Sequence, residues 1–448
     1  MLAALALFSI LVVPGAWAAQ AVDFPFGSGE EDLFFFDEEA FFGGGLLREV
    51  EEPAQSAGTL DAAFLVRERI EFGGDYRLAL EASAAWEDGG IAAANRSLVA
   101  SMGGSLFADF RPRRDFRLFA KGNGNASVID GVAEGPAFRL HELFADIDVG
   151  DKAFVRAGKQ TVNWGVGYFF SPADIINIGR IDPERPEAER EGPIAVRVHV
   201  PSGKNNYYAY ALVAGADDAA VAFAPKAEFV LGRSEVGVGL YYRADRVPRV
   251  MATVSTSLGR TSLFAEAVVS KGSDKRFVKS VPMSPENPFG LEVIRDSESL
   301  FAHFTAGVRY TYNDPDRRYS LTGAGQYYYN GEGYEGRFAA ENRLAMGALL
   351  ATGELLPADM LSTGRHYAAA TVVATGRSLG DFSPSLFWLG NLGDGSGMVT
   401  LSVAYNRWNS VRPSVSFTQW YGDSGGEYAA PFGLNNRVAL SLSVAQSF

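Results

Sequence analysis

Four histidines, His141, His199, His303 and His366, are the side chains whose ordinary titration falls nearest neutral pH, and so the first to weigh for acid–base or metal chemistry. None stands in a Gly-x-Ser-x-Gly nucleophile elbow or a His-Glu-x-x-His zinc helix. Cysteine is absent, which removes thiolate nucleophiles, Cys-containing zinc sites and disulfides together. Carboxylate pairs arise freely in acid-rich stretches and single out no site. No residue is therefore assigned a catalytic or metal-binding role, and no cofactor is expected. A hydrolase built into a barrel wall remains a competing class, with His199 and His303 read as ordinary polar wall residues.

The most distinctive stretch runs from Trp164 to Gly192. It carries Pro172, Pro183 and Pro186 among Asp174, Arg180, Asp182, Glu184, Arg185, Glu187, Glu189, Arg190 and Glu191. Two readings stay open. In one it folds into a lumen, where Trp164, Asp174, Arg180, Asp182, Glu184, Arg185, Glu187 and Arg190 set limits of size and charge on a permeant. In the other it is an outer loop stiffened by its prolines. A second set of charges is scattered singly: Arg67, Arg69, Arg77, Arg117, Lys121, Arg156, Arg197, Lys226 and Arg309, against Glu81 and Glu228. If these share one face, they make either a basic wall that concentrates anions such as phosphates or uronic-acid sugars, or a set of braces paired with loop carboxylates.

Elements of period two would put them on one face. Tyr76, Leu78, Leu80, Ala82, Ala84 and Trp86 alternate with Arg77, Glu81 and Ser83; Ile194, Val196, Val198 and Val200 alternate with Arg197 and His199. Phe304, Ala306, Val308, Tyr310 and Tyr312 alternate with His303, Thr305, Arg309 and Thr311, and Val399, Leu401, Val403 and Tyr405 with Thr400, Ser402 and Asn406. Charge recurring on one face of so many strands suits a water-filled barrel in lipid better than a sandwich core.

Tight turns are expected at Gly73-Gly74-Asp75, Arg111-Pro112-Arg113-Arg114, Gly150-Asp151, Ser202-Gly203-Lys204, Gly232-Arg233, Gly259-Arg260, Asp314-Pro315-Asp316, Gly376-Arg377-Ser378 and Asn409-Ser410, with longer links between them. Nine such turns define about 19 strands, from Thr59–Phe72 to Asn436–Phe448, and an even number with both ends on one side needs one more, for which Gly45–Glu52 is the candidate. The expectation is an all-β protein: a transmembrane antiparallel β-barrel of roughly 18–20 strands over residues 45–448, with short periplasmic turns and long extracellular loops. Such a barrel is wide enough for an aqueous channel. Tyr207, Tyr208, Tyr241, Tyr242, Tyr310, Tyr312, Tyr327, Tyr328, Trp388, Tyr405, Trp420 and Tyr421 fall mostly near inferred strand ends, as an interfacial girdle requires. Gly331–Gly364 reads as one long outer loop, a further strand or a short helix.

Residues 1–19 form an apolar run ending in Ala16-Trp17-Ala18, too short to span a bilayer and followed by small residues, the pattern of a cleaved signal peptide. Residues 20–44 mix acids with aromatics and show no period. Between Asp23 and Glu52 there are ten acids against Arg48 alone, so most of the net charge of −13 belongs to this segment. Nothing basic enough for a nucleic-acid surface remains.

The last strand places Val438, Leu440, Leu442, Val444 and Phe448 on one face, and this ending resembles the C-terminal signal that outer-membrane proteins present to the barrel-assembly machinery. Gly158-Lys159-Gln160-Thr161-Val162-Asn163-Trp164-Gly165, followed by Gly167-Tyr168-Phe169-Phe170-Ser171-Pro172-Ala173-Asp174, is similar to the strand-to-loop junction of alginate-export-type and related outer-membrane channels. The likeness departs after Gly165. It implies a porin-like channel for passive diffusion of small polar or anionic solutes, with outer-membrane lipid and the assembly machinery as partners and oligomerisation left open. The alternative is an adhesin or structural barrel that uses long outer loops, Lys271–Leu300 and Gly331–Gly364.

Overall fold

In the computed structural model the described residues are 70–87, 94–213, 221–285, 287–316, 318–408, 410–429 and 433–448. The expected signal peptide, the acidic segment, the strand at Gly45–Glu52, Arg67 and Arg69 lie outside them. The chain runs β1 (Ile70–Trp86), β2 (Asn95–Arg113), β3 (Phe116–Ile129), β4 (Val132–Val149), β5 (Ala153–Lys159), β6 (Ile194–Ser202) and β7 (Asn205–Val213). It continues through β8 (Val221–Leu231), β9 (Ser234–Tyr241), β10 (Arg249–Leu258), β11 (Thr261–Lys271), β12 (Arg276–Ser280), β13 (Leu291–Arg295) and β14 (Leu300–Asn313). The last six are β15 (Ser320–Asn330), β16 (His366–Thr375), β17 (Phe382–Asn391), β18 (Ser396–Tyr405), β19 (Val411–Tyr421) and β20 (Asn436–Ser447).

Eighteen of these strands form one antiparallel sheet, each paired with its neighbour in sequence. β12 and β13 make a separate hairpin, so β11 pairs directly with β14. The sheet closes on itself where β1 pairs with β20 from Asp75↔Ser447 to Trp86↔Asn436. A barrel has no edge to leave backbone groups unpaired, which is what a hydrocarbon environment demands.

Eight of the nine expected turns lie together at one end, and the ninth does not exist. Gly73, Gly74 and Asp75 are inside β1, paired with Phe107, Leu106 and Ser105. The two glycines serve close packing: a Cβ on Gly73 would sit 2.5 Å from the Phe107 ring, and one on Gly74 would sit 2.3 Å from the Ser105 carbonyl oxygen. Eight hairpins plus a first and a last strand account for the count of eighteen. At the other end the links are longer, apart from tight connections at Asp130-Gly131 and between β17 and β18. Gly331–Gly364 contains two short helices, α1 (Phe338–Glu341) and α2 (Arg343–Ala351), which pack with the β12–β13 hairpin around Val278, Leu291, Met346 and Leu355. This loop end is tied further by Glu427, whose Oε2 accepts hydrogen bonds from Thr363, Gly364, Tyr367 and Asn391.

The alternation of each strand sorts its side chains between two surfaces. Leu80, Leu98, Leu106, Val196, Val308, Leu401 and Leu440 are exposed on the outside. Glu81, Asp109, Lys226, Glu266, Arg309 and Thr418 are buried on the inside. At about 25 cal/mol per Å² of apolar surface, an outer face of this kind is stable against lipid and costly against water. Tyr207, Tyr242, Tyr310 and Tyr421 belong to the outer surface, as a girdle requires. Tyr208 and Tyr328 point the other way, stacking on His199 and Phe170, because their position in the alternation rather than their residue type decides the face.

Candidate functional site

Between β5 and β6 the chain leaves the wall, and residues 160–193 enter the barrel as a strap. Backbone withdrawn from a sheet must find new hydrogen-bond partners, and inward side chains of distant strands supply them. Glu266 of β11 is the principal anchor. Its Oε1 accepts the amides of Val166 and Gly167 at 2.5 Å each and the Ser171 hydroxyl at 2.9 Å; its Oε2 accepts the Ala173 amide at 2.9 Å. Gln326 of β15 accepts the amides of Tyr168 and Phe169 at 3.1 and 2.7 Å and donates to the Phe170 carbonyl at 2.6 Å. Lys226 of β8 donates to the Trp164 carbonyl at 2.9 Å and pairs with Glu228 at 2.6 Å.

Apolar packing completes that attachment. Trp164 is fully buried among Tyr210, Leu212, Ala222, Ala224, Met251 and Val268, with its Nε1 against the Met251 sulfur. Phe169 and Phe170 pack with Phe264, Tyr367, Phe387 and Leu389. At Gly167 the strap turns so tightly that a Cβ would fall 1.9 Å from the Phe170 carbonyl oxygen.

The returning limb of the strap is tied to another part of the wall. Glu189 pairs with Lys121 of β3, accepts from Asn123 at 3.2 Å and lies 3.5 Å from His141 of β4. Glu191 pairs with Lys159 at 2.5 Å. Burial alone would raise the Glu189 carboxyl, but the Lys121 ammonium, Asn123 and His141 outweigh it and hold it below the usual carboxylate range. The Lys159 ammonium does the same for Glu191. Within the strap, Arg190 pairs with Asp174, and Asn177 exchanges hydrogen bonds with the backbone of Val162.

Of the strap residues singled out in the sequence, Trp164 and Asp174 are buried as internal fastenings. Asp182 and Arg185 pair with each other, Glu187 accepts the Tyr168 hydroxyl at 2.7 Å, and Arg180 and Glu184 are exposed. Burial and the adjacent Glu187 push the Tyr168 phenol well above its ordinary value, so it stays a neutral donor. The described wall residues face inward by the alternation of their strands. Glu81 pairs with Arg437, Arg156 with Asp146, and Arg117 with Asp109 and Asp146. Arg77 shares the inner face of β1 with Glu81. Arg197 lies opposite Arg156 in the register, His199 bonds Asn206 and stacks on Tyr208, and Arg309 is buried on β14. Arg117, Lys121, Arg156 and Lys226 therefore stand beside acids, as braces, the second of the two arrangements the sequence allows.

Glu266 and Gln326 were not singled out in the sequence. Their signal was present: Glu266 stands between Phe264 and Val268 on the inner face of an otherwise apolar alternation, a position where a charge needs a partner from elsewhere. Phe448 lies at the closing seam, its amide and carbonyl exchanging hydrogen bonds of 2.9 and 3.0 Å with Gly74 while its ring is exposed outward.

The sequence matches no protein-family model and no curated protein. Solved structures similar to it include Pseudomonas aeruginosa OccK5 (OpdH), at 9% identity over 85% of this chain and 98% of that one with a TM-score of 0.47. Acinetobacter baumannii OccAB1 matches at 12% identity over 85% and 97%, with a TM-score of 0.47. Salmonella typhi OmpF in complex with daunomycin matches at 8% identity over 84% and 97%, with a TM-score of 0.41. The barrel itself is established by this chain's own strand pairing: eighteen antiparallel strands closed around an inward strap.

Proposed function

We propose that this chain is a porin-like channel of the bacterial outer membrane, through which small polar solutes, anions among them, diffuse passively past the strap. The observation that carries the reading is the division of surfaces on a closed eighteen-stranded barrel, apolar side chains outward and polar or charged ones inward. Barrels of about 16 to 18 strands enclose more space than their own side chains fill, and the strap narrows that space while leaving the Asp109, Arg117, Asp146 and Arg156 cluster of the wall paired within itself. Around the wall Asp109, Arg117, Asp146 and Arg156 alternate in sign, which favours modest rather than strong charge selectivity. The signal peptide over residues 1–19 and the terminal Phe448 fit export and delivery to the barrel-assembly machinery.

The test is electrical. The refolded mature chain in a planar bilayer should give steady ohmic steps, and liposomes containing it should swell in small sugars or amino acids. Insertion without current would overturn the channel and favour an adhesin or structural barrel.

A further inference from the structure

We propose that the ring of basic turns at the periplasmic end of the barrel is a docking surface for the chain's own acidic segment, residues 32–52. Six of the eight tight turns expose a lysine or arginine, Arg114, Lys204, Arg233, Arg260, Arg377 and Arg407, that no ion pair holds among the described residues. The acids of the turns are mostly committed. Asp115 meets Arg113 at 3.3 Å, and Asp314 and Asp316 meet Arg318 at 2.9 and 3.3 Å. Asp151 stands beside Lys152, and Asp381 shares its turn with Arg377. Higher in the wall Arg117 pairs with Asp109 and Arg156 with Asp146, so the cations left without an acid gather at the turns.

The occupant follows from charge and from where the chain enters the wall. Residues 32–52 lie outside the described residues and carry seven acids against Arg48. The wall begins at Ile70, which pairs with Phe110 close to the turn between Arg113 and Phe116, so the segment is tethered at the end that carries the ring. Residues 53–69 reach about 55–60 Å when fully extended. Eighteen strands about 4.8 Å apart and tilted by about 40° close into a barrel about 35–40 Å across, so every turn lies within that reach. One exposed ion pair is weak. Several on one tether act together, because tethering holds the segment near the ring at an effective concentration on the order of millimolar. The inference needs the barrel and not conduction.

The chain has no cysteine, so Ala40→Cys in the segment and Ser378→Cys in a turn allow one disulfide within the refolded mature chain. Vesicles that contain phosphatidylglycerol, at low protein density, put lipid phosphate in competition with the segment. Disulfide formation should slow at least about ten-fold between about 0.01 M and about 1 M salt, as the screening length falls from about 30 to about 3 Å. Each rate is normalised to the reaction of the same thiols with a neutral maleimide, which removes any effect of salt on the thiols themselves. Lys204→Gln with Arg233→Gln and Arg260→Gln should slow the low-salt reaction in the same way. Arg114→Gln with Arg407→Gln repeats that test if the first set does not fold. Rapid cross-linking that ignores either the salt or these substitutions would assign the contact to the segment's phenylalanines and overturn the proposal. Cross-linking that is slow at every salt concentration would give the turns to lipid headgroups and overturn it equally. No current is read, so a barrel that does not conduct would leave the docking intact and remove the channel reading alone.

Discussion

The amide of Ala173 donates to Oε2 of Glu266 at 2.9 Å, joining residues 93 positions apart and fixing the lumenal strap to the wall of β11. Three further groups of the strap converge on the same side chain, whose two oxygens supply the acceptors that all four donors need. Glu266→Gln exchanges one acceptor for a donor facing a donor, and Glu266→Ala leaves the amides without any partner. Each orphaned buried donor costs about 1–3 kcal/mol. Both variants should show a noisier and larger open-channel current, the alanine more so, in single-channel recording.

Lys226 occupies a second junction, bonding the Trp164 carbonyl and the Glu228 carboxylate. Lys226→Met keeps the length of the side chain but leaves a buried acid unpaired, a loss of about 3–5 kcal/mol. The heat-induced mobility shift of the folded barrel in gels should then occur at a clearly lower temperature. Lys226→Met with Glu228→Gln should recover part of it.

Removal of residues 179–190 takes away Asp182, Glu184, Glu187 and Glu189 together with Arg180, Arg185 and Arg190. Four acids and three bases leave, so the deletion should widen the path and shift its selectivity slightly towards anions. Conductance and reversal potential in a salt gradient check the two effects separately. An unchanged conductance would mean that this part of the strap does not limit the pore.

Acid should loosen the returning limb of the strap. The carboxyls of Glu189 and Glu191 are held below their ordinary value of 4.5 by the lysines they meet, so their contribution is complete at neutral pH and is lost as the pH falls below that value through the lowered ones. Current noise should rise reversibly on acidification to about pH 3, and a Glu189→Gln, Glu191→Gln double variant should show that noise already at neutral pH. A double variant as quiet as the parent would remove these two groups from the explanation.

Deletion of Phe448 should hinder delivery to the outer membrane more than folding in detergent. Its ring is exposed, and the bonds lost are the two it exchanges with Gly74 at the end of a seam that runs on to Trp86. Membrane fractionation compared with refolding yield separates an address from a structural role. Normal amounts in the outer membrane would show that the terminal aromatic is no signal.

Much of the fold was legible in the residues. Period-two alternation is a local property, so the inward placement of Arg77, Glu81, Arg197, His199 and Arg309 followed from their immediate neighbours. Turn residues were equally local at eight positions. Gly73-Gly74-Asp75 misled because glycine serves both a turn and a close approach, and only the Phe107 ring, directly opposite Gly73 on β2 but distant in sequence, distinguishes them.

The sequence by itself determined the strand period, the polarity of the two faces and the unusual composition of residues 164–192. Only the tertiary structure decided which way that segment folds. Its prolines and charges are as compatible with bulk water as with a lumen, because local composition carries no information about partners about 60 to 160 residues away. Glu266, Gln326, Lys226 and Lys121 become anchors only when closure of the barrel brings their inward faces around the same space, where an unpaired amide or carboxylate is costly and each finds its partner in the strap.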